Sequence, residues 1–287
     1  VREHWQFNVD IFGAPENLGE IEILDFIVYF LKSFGATKDM FSVLLNDRVV
    51  VDSVFNILLK LDDESSYKLY KVIDKAKKVT SEKLDIMISE IISVEADKEI
   101  FKEYLALDSF NTLENFLNKY ELTEVCQKFI SFIEIAKGLS FIEFIQYDPT
   151  IVRGLDYYTG VVFEVFDKHP ENNRAIAGGG AYANLLQIFN ETPMAGVGFG
   201  LGDVTLRDFL GSHNLLKDFS KQDSDLLVVY TDIALEVDAI KFAQVLRNEG
   251  LRVESHLGKI KFNKIFKVAE SKGHRFIAII EERDDKV

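Results

Sequence analysis

The apolar residues near the start of the chain follow two different periods. Between residues 5 and 11 apolar and polar side chains alternate, which predicts a strand with one apolar face. From Leu18 to Phe34 the apolar positions recur every three or four residues and predict an amphipathic helix. Gly35 is a suitable stop for that helix. A short strand is expected over Phe41–Leu45.

The pattern changes between Ser53 and Gly138. This stretch contains no proline, and its only glycine is Gly138 at its end. It is dense in Leu, Ile, Phe, Lys and Glu, which predicts about five helices with short breaks. We interpret the stretch as a helical insertion between two halves of another domain.

Strand patterns return after the helical stretch and are followed by a helix and a polar linker. The strands are expected at Phe141–Tyr147, Asp156–Phe166, Ala175–Gly178 and Gly196–Gly202, the helix at Asp203–Leu210 and the linker at Gly211–Ser224. The last segment alternates strand and helix, which predicts a small α/β domain with a parallel sheet. Its elements are expected at Leu226–Tyr230, Leu235–Asn248, Leu251–His256, Ile260–Ser271 and Arg275–Ile280.

Composition narrows the functional classes. A net charge of −14 argues against a protein that coats nucleic acid indiscriminately. The longest apolar run, Phe26–Leu31, is six residues and far below the roughly 20 needed for a membrane span. The single cysteine, Cys126, permits no internal disulfide, and the histidines show no metal-ligand spacing. We therefore expect a cytoplasmic protein without a metal site of its own.

Three polar side chains share one face of the first strand. Gln6, Asn8 and Asp10 form a row of amide, amide and carboxylate that is able to bind a small polar ligand through hydrogen bonds. The alternative is the solvated face of an edge strand, which is the commoner origin of such a row. The pattern alone leaves both interpretations open.

Two further segments have unusual composition. In the first, Tyr157 and Tyr158 lie between two glycines, and Arg153 directly precedes the first glycine. The Arg153 guanidinium supplies a planar set of donors suited to phosphate or carboxylate. In the second, Gly178–Gly180 marks a close backbone approach. A tight turn with ordinary tyrosines and a bulged strand are the respective alternatives.

One segment is basic although the chain is acidic. Between Lys259 and Arg275, five lysines and one arginine stand against a single glutamate. Lys261, Lys264 and Lys267 recur at helical spacing and are candidates for phosphate-backbone contacts. A solvated helix face is the alternative.

Taken together, these segments resemble the histidyl-tRNA synthetase family. The run V152-R-G-L-D-Y-Y-T-G160 is similar to that family's histidine-binding signature, and residues 2–13 resemble its form of class II motif 2. Gly178–Gly180 with Tyr182 resembles its glycine-rich strand, and residues 196–202 the strand entering motif 3. The resemblance implies an α+β fold: a class II antiparallel sheet core with a helical insertion, followed by a small α/β anticodon-binding domain. The implied domains are residues 1–52 and 140–215 for the core, 53–139 for the insertion, and 222–287 for an incomplete anticodon-binding-like domain.

The resemblance also implies a reaction and its residues. Histidine and ATP would form histidyl-adenylate, and the histidyl group would pass to tRNA. Asp10 and Tyr158 would bind the imidazole nitrogens, Gln6 the α-amino side, and catalytic Arg153 the carboxylate and α-phosphate. Remaining pocket residues would be Tyr157, Tyr182, Gly178, Gly179 and Gly180.

The binding of ATP is where the sequence departs from the family pattern. Val204 and Thr205 stand where motif 3 has its Glu-Arg pair, and Arg207 lies about 200° further around an ideal helix. We expect ATP contacts from Arg2, Arg153 and Arg207, with Mg²⁺ accompanying ATP.

The remaining expectations concern context. Segments preceding Val1 are expected to be missing, so the chain should be a fragment unable to complete the reaction alone. A homodimer is expected, with tRNA as partner and no membrane. Two alternatives stay open: a non-catalytic paralogue that serves as regulatory subunit of ATP phosphoribosyltransferase, and a domain that senses uncharged tRNA.

Overall fold

A computed structural model of the chain describes residues 3–152, 157–184, 192–216 and 224–282. Two compact units are distinguished, residues 1–216 and residues 217–287. Each unit has its own sheet and its own hydrophobic core.

The first unit contains a six-stranded sheet with the order β1-β6-β5-β4-β2-β3. Its neighbouring strands are antiparallel, except that β3 pairs with β2 in parallel. The strands are β1 Gln6–Phe12, β2 Phe41–Asp47, β3 Ile145–Tyr147, β4 Val161–Asp167, β5 Ala175–Ala181 and β6 Gly196–Gly202.

Eight α-helices accompany this sheet among the residues described. Six of them, α2 to α7, occupy the chain between β2 and β3. The helices are α1 Leu18–Ser33, α2 Arg48–Ser53, α3 Asp63–Lys75, α4 Ser81–Ser89, α5 Glu95–Leu105, α6 Phe110–Lys119, α7 Gln127–Lys137 and α8 Asp203–Ser212. A π-helical turn, Val54–Leu58, follows α2 directly.

The core of this unit lies against one face of the sheet. α1 packs closely on β6, since a Cβ at Gly19 would come within 2.9 Å of the Val197 side chain. Phe199 and Leu201 are buried on the same face as Val197. The apolar interior of the helices between β2 and β3, with Phe101 as an example, is continuous with this core. The opposite face of β6 carries only glycines.

Several predicted boundaries differ from the structure. Residues 140–144 form a 3₁₀ turn, so only Ile145–Tyr147 of the strand expected over 141–147 is extended. β4 begins at Val161 and not near residue 156. The apolar face of β1 is only partly covered, because β1 is at the edge of the described sheet: Phe7 remains 44% exposed although its ring stacks on Phe26 and Phe30.

The second unit is a small parallel α/β structure. Its strands have the order β8-β7-β9, and both pairings are parallel. Leu227, Val229 and Ile265 form the centre of its core. The elements are β7 Leu226–Tyr230, α9 Glu236–Asn248, β8 Val253–Ser255, α10 Phe262–Lys272 and β9 Phe276–Ile280. The strand–helix alternation predicted from the sequence is confirmed, with both helices beginning one or two residues later than expected.

Candidate active site

Alternate glycines of β6 form the floor of the site. Gly196, Gly198 and Gly200 fall on one face because side chains in a strand point alternately to opposite sides. A Cβ at Gly198 would overlap the Asp10 carboxylate, and one at Gly200 would overlap the Gln6 amide. The polar row of β1 therefore lies over β6, in space that only glycine leaves open.

The glycines of β5 have different environments. Gly178 pairs with Gly200 and Gly180 with Gly198, so both share the glycine face of β6. Gly180 lies beneath Tyr158, whose ring is 2.8 Å from where a Cβ would be. Gly179 faces the core side against Phe199. Of the three positions predicted to let a ligand lie on the backbone, Gly179 is thus on the wrong face.

Three tyrosines cluster above these glycines. The ring centroids of Tyr157 and Tyr158 are 4.6 Å apart, and the Tyr157 ring meets that of Tyr182 edge-on at 5.8 Å. Tyr158 and Tyr182 are each 6% exposed. The Thr159 amide donates to the Ala181 carbonyl at 2.9 Å, which fixes the segment carrying Tyr158 to the end of β5.

Tyr182 connects this cluster to the polar row. Its hydroxyl donates a hydrogen bond to Oδ1 of Asp10. Burial, followed by the hydrogen bond to the Asp10 carboxylate and its charge, raises the pKa of Tyr182 well above the ordinary value. The phenol therefore remains a proton donor throughout the neutral range, and it orients the carboxylate.

Two more side chains belong to this face: Asn8, the middle member of the polar row, and Glu164, which the sequence analysis did not single out. Asn8 Oδ1 would be 2.9 Å from a Cβ at Gly200. Glu164 of β4 is directly opposite Gly178, so it faces the same side of the sheet. Glycine at every second position of residues 196–202 was the sequence signal for this floor.

Only one of the three predicted ATP contacts, Arg207, is among the residues that the structure describes. Arg2 and Arg153 lie outside the described residues. Arg207 is exposed on α8. At the place where motif 3 has its arginine, the Thr205 hydroxyl donates to the carbonyl oxygens of Ile176 and Gly202, at 3.2 and 3.1 Å. Thr205 therefore secures the start of α8 and presents no cation.

The basic residues of the second unit lie on or beside α10. Lys261 directly precedes the helix, and Lys264 and Lys267 are on it; all three are exposed. Within the described part of the chain, none of the three has a carboxylate partner.

Across residues 3–152, 157–184, 192–216 and 224–282, no group of three or more His, Cys, Asp or Glu side chains is placed to hold a metal ion. In those ranges no helix combines the length and apolarity required to cross a bilayer.

Comparison with known proteins gives the family. A family model described as histidyl-tRNA synthetase matches residues 1–204, which is most of the chain. This chain belongs to the histidyl-tRNA synthetase family. Histidine–tRNA ligases of Leptospira biflexa and Thermoplasma volcanium are 35% and 29% identical to it, over 100% and 99% of its length. The chain spans only 65% of the length of each.

Solved structures agree on the fold. The histidyl-tRNA synthetase from Nostoc sp. PCC 7120 superposes with a TM-score of 0.77 at 22% identity, over 95% of this chain and 65% of that one. A Bacillus halodurans protein titled as an ATP phosphoribosyltransferase regulatory subunit/histidyl-tRNA synthetase gives 0.72 at 18% identity, over 96% and 67%. The α+β class II synthetase fold expected for this family is confirmed.

Proposed function

We propose that this chain is part of a histidine–tRNA ligase, an enzyme that activates histidine with ATP and transfers it to tRNA. The observation that carries the proposal is the placement of Asp10 and Tyr158. They lie over Gly198 and Gly180, which are directly paired across β6 and β5. Two hydrogen-bonding side chains over adjacent strands suit the two nitrogens of one imidazole. A substrate lacking either nitrogen would leave a polar partner unpaired.

The remaining residues of the pocket have matching roles. Gln6 takes the α-amino side, while Tyr157 and Tyr182 enclose the ring. Arg153 binds the carboxylate and the α-phosphate. Negative charge grows at that phosphorus as the carboxylate attacks and pyrophosphate leaves, and a fixed guanidinium stabilises it by preorganised electrostatics.

ATP and Mg²⁺ belong to the proposal as substrate and its ion. Mg²⁺ is commonly held by one or two carboxylates and by the phosphates of its nucleotide. Arg2, Arg153 and Arg207 are the proposed phosphate contacts.

The other partners follow the domain proposal. We assign residues 1–52 and 140–215 to the catalytic core, 53–139 to an insertion, and 222–287 to an anticodon-binding-like part. Lys261, Lys264 and Lys267, exposed and without carboxylate partners in the described residues, would contact the tRNA backbone. A cytoplasmic homodimer completes the proposal.

One observation favours a second candidate. Thr205 is bound to backbone carbonyls where the family's ATP-binding arginine is expected. A regulatory subunit for ATP phosphoribosyltransferase would keep the histidine pocket and have no need of that arginine. A sensor of uncharged tRNA is a further candidate on the same ground.

Histidine-dependent ATP–pyrophosphate exchange by the full-length protein tests the proposal. We expect exchange that falls at least a hundredfold in Arg153→Ala and is unchanged in Arg252→Ala, an arginine of the second unit paired with Asp225. Absence of exchange with histidine still bound would overturn the ligase in favour of the regulatory or sensor candidates. Binding of tRNA then separates those two.

Aminoacylation tests the tRNA surface separately. In the full-length protein, replacing Lys261, Lys264 and Lys267 together by glutamine should raise the KM for tRNA about tenfold or more and leave exchange unchanged. The affinity for tRNA should also depend less on salt concentration, because fewer counterions are released when tRNA binds. Unchanged aminoacylation in that variant would remove these lysines from the interface.

A further inference from the structure

A cavity of about 420 Å³ lies between the first helices of the helical stretch and Val152. Its walls come from α2, the π-helical turn after it, α3 and Val152. The volume is within the range of small-molecule sites. Its lining is polar and aromatic, with Arg48, Asp52, Asn56, Asp63, Ser66, Tyr67, Tyr70, Lys71, Asp74 and Lys75.

Two buried polar atoms of this lining have no hydrogen-bond partner among the described residues. They are Nε of Arg48 and Oγ of Ser66. Buried donors in native proteins are nearly always satisfied, so an unpaired one requires an explanation. A ligand that brings acceptor oxygens would satisfy both.

The charged groups around the cavity are unequally paired. Asp52 accepts the hydroxyl of Tyr70, and Asp74 is paired with Lys78 at 3.3 Å. In the described residues, Lys71 and Lys75 have no carboxylate within ion-pair distance; Lys71 instead lies over the Tyr67 ring, 4.1 Å from its centroid. Lys78, which does not line the cavity, neutralises Asp74. The three cations of the lining, Arg48, Lys71 and Lys75, then face two carboxylates, Asp52 and Asp63, so the lining has a small positive excess that favours an anionic occupant.

The local backbone is unusual at the same place. Val54–Leu58 is a π-helical turn, closed by a hydrogen bond of 3.0 Å from the Leu59 amide to the Val54 carbonyl. Such turns are rare and occur frequently at functional sites. Asn56, within the turn, lines the cavity.

Arg48 joins the cavity to both ends of the candidate histidine-binding segment. Its backbone amide donates to the Gly160 carbonyl at 3.0 Å, and its Nη1 to the Val152 carbonyl at 3.5 Å. Its guanidinium is stacked on Tyr70, 4.0 Å from the ring centroid. An occupant that binds Nε of Arg48 would therefore stabilise the contacts that Arg48 makes with Val152 and Gly160.

We propose that this cavity binds a nucleotide. Arg48 Nε and the Ser66 hydroxyl bind its phosphate, with Lys71 and Lys75 adding positive charge. Tyr67, about half exposed, offers a flat surface for the base, and Asn56 and Asp63 supply an amide and a carboxylate for its edge. The nucleotide comes either free from solution or from the 3′ end of a single-stranded RNA.

The site also affects histidine binding, a part of the proposal that rests on the proposed function. Because Arg48 donates to the carbonyls of Val152 and Gly160, a bound nucleotide that fixes Arg48 stabilises these two contacts, which flank Tyr157 and Tyr158 in the chain. By reciprocity, histidine raises the affinity for the nucleotide by the same factor.

A fluorescent reporter in the cavity tests binding directly. The chain has one tryptophan, Trp5, so Trp5→Phe combined with Tyr67→Trp places the only indole at the cavity. We expect AMP or the trinucleotide CCA to change its fluorescence saturably. If CCA binds ten times more tightly than AMP, the nucleotide comes from an RNA end. If AMP binds more tightly than CCA, it is a free nucleotide. No change with either, or inorganic phosphate binding as tightly as AMP, would overturn the proposal.

Variants show whether the named groups act. Ser66→Ala and Lys71→Ala, each in the reporter background, should weaken nucleotide binding about tenfold; Arg48→Lys should do so as well, provided it folds. Lys68→Ala is the matched control, since Lys68 is on the same helix, outside the cavity and paired with Glu64 at 2.6 Å. Equal affinities in all of these variants would contradict the assignment.

The effect on histidine is measured in the full-length protein without the reporter. Saturating nucleotide should raise histidine affinity about fivefold or more, and Ser66→Ala should abolish that gain without changing basal histidine affinity. Histidine bound with no gain in the wild type would overturn the coupling and leave the proposed function intact. Absence of histidine binding, with nucleotide still bound at the cavity, would overturn the proposed function alone.

Discussion

Tyr182 and Asp10 are linked by a hydrogen bond that crosses an intervening strand. Tyr182 directly follows β5 and Asp10 is on β1, with β6 between them. The bond passes over Gly196, where a Cβ would strike the Tyr182 ring, and Gly198, where a Cβ would strike Asp10. The glycines of β6 therefore permit two distant segments of the chain to form one polar site.

Removal of the Tyr182 hydroxyl tests the role of this bond. In Tyr182→Phe the Asp10 carboxylate loses its donor and is less well oriented toward an imidazole. A hydrogen bond to a charged group contributes about 1.5–3 kcal/mol, so we expect histidine affinity to fall about tenfold or more. In steady-state kinetics the KM for histidine should rise and the KM for ATP should stay constant.

Tyr29→Phe is the control for that experiment. Tyr29 is 70% exposed on α1, and the same change there should leave both KM values unaltered. A Tyr182→Phe protein that binds histidine as tightly as the wild type would show that Asp10 is oriented by other groups.

The floor of the site should tolerate no side chain. Gly198→Ala places a methyl group against the Asp10 carboxylate and within 2.7 Å of the Val9 carbonyl. Such overpacking costs about 1–3 kcal/mol, so calorimetry should show lower thermal stability and histidine affinity reduced more than tenfold. In Gly138→Ala the nearest atom is at 3.4 Å, and neither quantity should change appreciably. Full histidine affinity in Gly198→Ala would be incompatible with a polar row lying over β6.

The sequence was sufficient for much of this site but not for its assembly. Glycines at alternate positions from 196 to 202 are visible by eye, and so is the polar row from Gln6 to Asp10. What period-two patterning cannot provide is the register that sets Asp10 opposite Gly198, because the two residues are far apart in the chain. Long-range pairing depends on the whole core, and no local signal specifies it.

Boundary errors have local causes. The apolar stretch before β3 predicts a strand, yet Phe141 and Phe144 lie in a 3₁₀ turn and are buried there. A short apolar run fits either conformation, and periodicity does not separate them. The apolar period of α1 runs to Phe34, yet Phe34 caps the helix and is 39% exposed. Helix ends are where periodic patterns carry least information.

A buried amide connects the helical stretch to the sheet. Asn46 is fully buried at the end of β2 and donates to the Pro149 carbonyl at 3.1 Å and to the Tyr104 hydroxyl of α5 at 3.2 Å. Asn46→Ala leaves these acceptors short of a donor, so urea unfolding should show a loss of about 1–3 kcal/mol. Asn115→Ala, on the exposed face of α6, should change stability by less than about 0.5 kcal/mol. Equal stabilities of the two variants would contradict a structural role for this amide.

The last prediction concerns a carboxyl group that folding forces into the core. Asp47 is 3% exposed, and burial raises its pKa to about 6 from 3.8. Backbone hydrogen bonds from Val49 and Val50 and the charge of Lys128 oppose the rise, and Glu20 adds to it. The folded state thus binds a proton more tightly than the unfolded state does.

This proton makes stability depend on pH in a specific direction. Between about pH 4 and pH 6 the folded state holds more protons than the unfolded state, so the free energy of unfolding falls as pH rises. Since each pKa unit corresponds to about 1.4 kcal/mol, the loss of stability attributable to Asp47 reaches on the order of 3 kcal/mol above pH 6.

The variant Asp47→Asn tests this dependence. Its amide oxygen replaces the Asp47 oxygen that accepts from the Val49 amide at 2.8 Å, and its side chain cannot ionise. We therefore expect its stability, measured by urea unfolding from pH 4 to pH 7, to lack this decline and to exceed that of the wild type at pH 7. Asp25→Asn, on the exposed face of α1, should reproduce the wild-type profile. Parallel profiles for the wild type and Asp47→Asn would mean that other interactions in the folded state offset the burial of Asp47 and leave its pKa at the ordinary value.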